Sequence, residues 1–536
     1  MHQITHSAFN CSLGDFDPVA IETPPPEKRA PSGSGDYLTI LSGTSQNVVG
    51  IIVAAAATFA ANVLMARNLA PGGFGIVTMM TQGAFVLSFA TRAGMDMAVL
   101  RDVAMEVGVA RYGRIRVPVA RAALVALVVS TVVALIGILL ADQIRSLLRI
   151  DDESGRWVVE VACAGLPFLA LSNVWLSATR GLKIMRYTLY IFWAGQPLTW
   201  ILFMLIGWQF SKTAWMSALA YSASWAWASV AAYLAWRKEC RAWTAEPMET
   251  GDMARLMRYA GPRAPAALFS QLLFWTDLFV VARYVGEADV DVYSAALRAG
   301  QVLLLFLTSV SLMFSPFVAD LHNRGETKRL DGLFKSLTRW TLAATLPAFL
   351  ILVVVPAEAL RIFGSDFSRG ETALLILLAG QFVNVLTGSV GFVLIMVGRT
   401  GWDLIVYGAS LALNLGMAFA LAPRYGLTGA AIANAVTFAL SKWARLALVK
   451  RFVDIQPYDR HYFRLIPPTA AAAAAMVAVH AVADGWGWAP DLVATGVVGT
   501  LVFAGAYLVF GLTPQERRGV SNLIADFRGR RGVTGD

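Results

Sequence analysis

Apolar blocks of about twenty residues recur along the chain, divided by short polar connectors rich in Arg, Lys, Gly and Pro. Each block is long enough to cross ~30 Å of hydrocarbon as an α-helix. Their approximate limits are 40–66, 74–92, 118–140, 157–178, 187–208, 214–236, 264–284, 293–320, 341–361, 371–397, 403–422, 427–449, 465–483 and 491–511. The pattern predicts an all-α, polytopic integral membrane protein with about 14 transmembrane helices. The run 293–320 exceeds one span and implies a tilt or an interfacial turn. The block 40–66 opens on Ser, Thr, Gln and Asn.

The connectors set an orientation. Most Lys and Arg lie in alternate ones: Arg101–Arg121, Arg180–Arg186, Arg237–Arg263, Arg324–Arg339, Lys442–Arg464 and Arg517–Arg531. The positive-inside rule then places both termini in the cytoplasm. Residues 1–36 are polar and Pro-rich, without the apolar core of a signal peptide, and read as a disordered cytoplasmic tail. The longest polar break divides the chain into a first lobe of six spans (37–236), a cytoplasmic linker (237–263) and a second lobe of six spans (264–451). Two further helices follow within 465–511, then a cytoplasmic tail, 512–536.

The composition agrees with a membrane protein: 57% hydrophobic and 15% charged, against roughly 25% charged in soluble domains. The net charge of +9 is spread between apolar blocks, so it argues orientation and not nucleic-acid binding. Cys11, Cys163 and Cys240 are too scattered for a disulfide framework or a zinc site. No phosphate-binding glycine loop, metal-ligand spacing or Ser-His-Asp arrangement is present, so neither an enzyme nor a bound cofactor is expected.

Charges inside spans carry the functional reading. The stretch Gly261–Asp320 holds two apolar runs around an acidic connector, Gly286–Asp291, with Asp277 in the first run and Arg298 in the second. Asp277 lies about ten residues before the turn and Arg298 about eleven after it, which gives them similar depth. They are expected to pair across the hairpin.

The same region echoes the start of the chain. Met65–Ile76 reads MARNLAPGGFGI and Val281–Tyr293 reads VARYVGEADVDVY. Each has Ala-Arg, an apolar residue, a Gly-bearing turn and an aromatic opening the next span. Ala66–Gly75, Gly94–Arg101, Pro262–Tyr293, Pro316–Asp320, Ile362–Phe367 and Asn414–Ala433, above all its part Ala422–Ala433, together resemble the Wzx-type polysaccharide exporters of the multidrug/oligosaccharidyl-lipid/polysaccharide flippase superfamily. The resemblance covers roughly 38–451.

It implies two six-helix lobes around a central cavity that opens alternately to either side. The implied activity is translocation of a polyprenyl-pyrophosphate-linked oligosaccharide from the inner to the outer leaflet of the bacterial inner membrane. Polysaccharide polymerases and glycosyltransferases are candidate partners. An anionic headgroup calls for guanidinium ligands. The candidates are Arg92, Arg263, Arg298, Arg67 and Arg283, with Asp277 as the partner of Arg298. Arg92 and Arg263 read equally as positive-inside anchors, and Arg67 and Arg283 as snorkelling interfacial residues. Amides within the spans, Gln196 and Asn414 among them, suit sugar hydroxyls or interhelical bonds. Trp193, Trp200, Trp215, Trp225 and Trp227 suit sugar stacking or lipid contact. A lipid II flippase and a cation-coupled drug antiporter are the rivals, although 40–66 lacks the acid expected of the antiporter.

Overall fold

The computed structural model describes residues 53–513 and 516, apart from breaks at 109–110, 149, 151–154, 183, 185, 245, 249–251, 324, 398 and 484. The expected tails and the start of the first block lie outside the described residues. Within them all regular structure is helical. The helices are α1 (53–68), α2 (Gly73–Thr91), α3 (Met95–Gly108), α4 (Arg116–Leu139), α5 (Ala141–Leu147), α6 (Gly155–Ala164), α7 (Leu166–Gly181), α8 (Gln196–Gly207), α9 (Ala214–Glu239) and α10 (Asp252–Tyr284). They continue with α11 (Glu287–Gln301), α12 (Leu304–Asn323), α13 (Thr327–Val354), α14 (Pro356–Arg361), α15 (Glu371–Thr387), α16 (Val390–Met396), α17 (Thr400–Val453), α18 (Ile466–Ala483) and α19 (Trp488–Ala506).

Nine described helical segments are long and apolar enough to cross a membrane, or ten if the bent pair Ala288–Gln301 and Leu304–Ser311 is one span. That pair bends by 49°, which is how the overlong block 293–320 is accommodated. The difference from about fourteen has physical causes. Helix α9 is diluted by Ala, Ser and Tyr, and α10 carries a charged first half. Helix α17 counts once, yet it contains a sharp reversal.

That reversal is at Gly426, whose φ of 58° and ψ of −135° suit glycine alone, three residues after Pro423. The arms 400–425 and 427–453 fold back on each other. Gly429 sits so close that a Cβ would lie 2.4 Å from the Leu421 carbonyl oxygen. At the far end of the arms Asp403 accepts from Arg445 Nε at 2.8 Å, and Arg445 lies over the Tyr407 ring. Arg445 is fully buried.

Contacts group the helices. Helix α9 packs on α6, α7 and α8, and α4 packs on α6 and α7. In the later sequence α17 packs on α10, α15 and α16, while α18 and α19 form a hairpin laid against α13. The two groups meet mainly where α2 touches α10 and α11 and where α3 touches α10. The described residues that lead into α4, those about Arg186 and those that follow α9 meet at one end of the helices, called here the basic end, where the Glu246 amide bonds the Gly113 carbonyl and Arg186 pairs with Glu239. The turns 69–72 and 285–286 fall at the opposite end.

Candidate functional site

The two echoing turns meet each other at the opposite end. Asp291 of α11 accepts from the Gly72 amide at 2.6 Å and from the Gly75 amide. Its carboxylate therefore caps α2, where unpaired amides and the helix dipole favour negative charge. Gly75 makes the approach possible, because a Cβ there would lie 2.7 Å from Val290 Cγ1. Phe74 packs on Phe363 and Phe367, and Phe59 on Phe363. Arg369 reaches back to the Ala288 carbonyl and to Asp289. The connector Gly286–Asp291 is thus a seal between the groups of helices.

In the last third of α10 and along α11 the polar side chains divide into two sets. Asp277 is fully buried and accepts from the Tyr293 hydroxyl at 2.5 Å and from Asn434 Nδ2 at 2.9 Å, both at Oδ2. Oδ1 has no partner among the described residues. Thr437 and Ser441, one and two turns beyond Asn434, also bury unpartnered hydroxyls. The expected Asp277–Arg298 pair is not formed. Equal depth on a hairpin does not make two side chains face one another, and Tyr293 lies on the face of α11 that Asp277 meets.

Arg298 turns the other way. It lies over the Trp275 ring at 4.8 Å, with Gln301 Oε1 3.5 Å from Nη1. Its Nε has no hydrogen-bond partner among the described residues. Tyr221 of α9 faces it from the other group of helices, with Trp200 and Trp225 edge-on to that ring at 5.1 and 6.2 Å. Gly300, two residues on, is buried, and a Cβ there would meet nothing within 4 Å on its own side of the helix. A half-buried guanidinium with an aromatic floor, a nearby amide and an unpartnered Nε has the chemistry to bind a phosphoryl group, and the rings have the chemistry to stack a sugar.

The other candidates are placed differently. Arg92, at the end of α2, is buried and paired with Asp96 at 3.0 Å; Nε donates to the Ser88 carbonyl and Nη2 to the Ser88 hydroxyl, with Phe89 below. Arg67 Nε donates to the Ile362 carbonyl at 2.6 Å, and its guanidinium lies over Trp488. Arg283 is half-buried beside Tyr284, with Nη1 unpartnered. Arg263 is on α10, and its side chain lies outside the described residues. Gln196 donates to Ser224 Oγ at 3.0 Å, an interhelical bond of α8 to α9. Trp227 is exposed on the outside of α9.

Sequence reasoning missed Asp96 and Asp291 as partners, and the Asp403–Arg445 pair. The first had a signal, an Arg and an Asp four residues apart across the α2–α3 turn. The last two join residues too distant for any local pattern.

Long apolar helices in two packed groups, joined at one end by the Asp291 cap and holding a basic aromatic centre, mark a polytopic membrane protein of the transporter class. Solved structures agree on the fold. An inward closed lipid II flippase, MurJ, superposes with a TM-score of 0.67 at 13% identity, over 87% of this chain and 98% of that one. An inward-facing multidrug transporter of the MATE family gives 0.64 at 13% identity, over 78% and 98%. The polysaccharide biosynthesis protein family model matches residues 40–322, and the MatE model matches 262–420. The chain belongs to the polysaccharide biosynthesis protein family, a Wzx-type branch of the flippase superfamily. Two relatives come from Haloferax volcanii. "Probable low-salt glycan biosynthesis flippase Agl15" is 23% identical over 38% of this chain, and "Probable flippase AglR" is 23% identical over 34%. The matched stretches span 43% and 39% of those proteins, less than half of each.

Proposed function

We propose that this chain moves a polyprenyl-pyrophosphate-linked oligosaccharide from the inner to the outer leaflet of the bacterial inner membrane, for polysaccharide biosynthesis. The observation that carries the reading is Arg298: a guanidinium between the two groups of helices, on an aromatic floor, without a carboxylate partner among the described residues. Arg298 takes the pyrophosphate, and Trp275, Gln301 and the Tyr221 side chain take the first sugars. Arg283 adds a second positive charge nearer the opposite end. The lobes 37–236 and 264–451 rock about the site, and 465–511 rides on the second lobe.

In this reading the opposite end is extracytoplasmic and Asp291 keeps it shut while the headgroup enters. Opening requires the Asp291 carboxylate to leave the α2 amides. With the cytoplasm negative, an anionic headgroup moves outward downhill. Two uncompensated charges gain about 4–5 kcal/mol at ~100 mV. That exceeds the ~1–2 kcal/mol expected for one helix-capping carboxylate.

The test is export in cells. Loss of the chain should accumulate the lipid-linked oligosaccharide on the inner leaflet and abolish surface polysaccharide. Normal surface polysaccharide without the chain contradicts the reading. A cation-coupled antiporter is the second reading, favoured by the buried Asp277 with one unpartnered oxygen. It requires drug efflux that stops in Asp277→Asn while glycan export is untouched.

A further inference from the structure

At the basic end, far along α4 from the transport centre, two connectors are fastened together. Tyr112–Arg114 form a single tight helical turn before α4, and residues 242–246 follow α9. The Glu246 amide donates to the Gly113 carbonyl at 3.0 Å, and Arg116 Nη1 donates to the Trp243 carbonyl at 2.9 Å. The Tyr112 and Trp243 rings lie 5.1 Å apart. The Glu246 side chain rests against Gly113, where a Cβ would lie 2.4 Å from its Oε1. Beneath it Ile115, Val119, Trp236 and Cys240 belong to one buried apolar cluster. The connectors enclose an open pocket of about 610 Å³, lined by Arg111, Tyr112, Arg114, Trp243 and Glu246 among others. That is the size of a small-molecule site.

We propose that this pocket binds the phosphate headgroup of an anionic glycerophospholipid from the leaflet at the basic end. Arg111 and Arg114 both line it, and arginine meets phosphate through paired N–H donors. Arg111 is exposed, with no carboxylate partner among the described residues. Depth selects a lipid over a soluble anion. Arg116 opens α4, and Leu124, Leu127, Val128, Val132, Leu135 and Ile136 form an exposed apolar stripe along the same helix. Eight residues separate Arg116 from Leu124, roughly 12 Å at helical rise. The pocket therefore stands at headgroup level above a surface on which acyl chains can lie, and Tyr and Trp favour that level. A soluble phosphate gains nothing from the stripe.

The experiment is a native mass-spectrometry titration of the purified full chain with phosphatidylglycerol and with phosphatidylcholine. One phosphatidylglycerol should bind about tenfold tighter than phosphatidylcholine, the scale of one charge-assisted hydrogen bond. The double variant Arg111→Ala/Arg114→Ala should lose that preference. Arg111→Glu, at an exposed position, should lose it too without changing the thermal midpoint, which covers the case in which the double variant folds poorly. Glu246→Gln should tighten binding. Equal preference in wild type and Arg111→Glu overturns the proposal. So does displacement of the phosphatidylglycerol by inorganic phosphate or by a polyprenyl phosphate at matching concentration, which would assign the pocket to a soluble anion or to the transported lipid.

Discussion

Arg92 and Arg298 are both arginines inside the helical bundle, yet their surroundings are opposite. Arg92 has a carboxylate, a carbonyl, a hydroxyl and a ring within its own stretch of chain. Arg298 has a ring, a distant amide and an unpartnered Nε. A buried charge whose donors are all taken fixes structure. A charge held between two groups of helices, with a donor left over, is available to a ligand. The difference says that the presence of a charge inside a span is a weaker guide to function than what completes its hydrogen bonds.

The comparison can be broken most severely at Arg92. Arg92→Ala leaves the buried Asp96 with the Met97 amide and the charge of nearby Arg180 but without its own guanidinium partner, and loss of one partner of a buried pair costs up to about 3–5 kcal/mol. Membrane abundance and the thermal midpoint should fall sharply, and Arg92→Ala/Asp96→Ala should recover most of both. Normal abundance in the single variant would mean that the pair is not structural. Arg445→Ala should act in the same direction, since the buried Asp403 would lose its guanidinium partner in the α17 hairpin.

Asp291→Ala comes next. Removing a helix-capping carboxylate costs about 1–2 kcal/mol, and here the loss weakens the seal and not the fold. A cysteine placed at Phe74 should react faster with an impermeant maleimide added outside. An unchanged rate would show that the phenylalanine cluster closes that end without Asp291. The smallest effect is expected at Gln196→Ala. Single interhelical bonds in membranes average about 0.6 kcal/mol, so the thermal midpoint should move slightly and transport not at all. A transport defect there would move Gln196 from bundle packing to the substrate path.

Much of the fold was legible from the blocks. Twenty apolar residues between polar connectors leave the backbone few options in lipid, and the overlong run at 293–320 announced its bend. The reversal at Gly426 was legible from Pro423 and the glycine. The site was legible only in part. Asp277 and Arg298 stood out because charge is rare in spans, but their partners did not. Asn434 is 157 residues from Asp277 along the chain, and Tyr293 comes within reach only through the rotation of α11 about its axis. One-chain periodicity gives depth and not the angle at which two helices face. The seal was missed for the same reason: the resemblance between the turns 65–76 and 281–293 did not reveal that they touch.

The most direct measurement is translocation of a fluorescent polyprenyl-pyrophosphate-linked oligosaccharide in proteoliposomes, read by an outside quencher. Arg298→Ala should insert and melt like wild type but flip the lipid at least about tenfold more slowly, the scale of one lost charge-assisted hydrogen bond. Arg298→Lys should recover only part of the rate, because an ammonium lacks the paired donors of guanidinium. Wild-type flipping by folded Arg298→Ala would contradict the account.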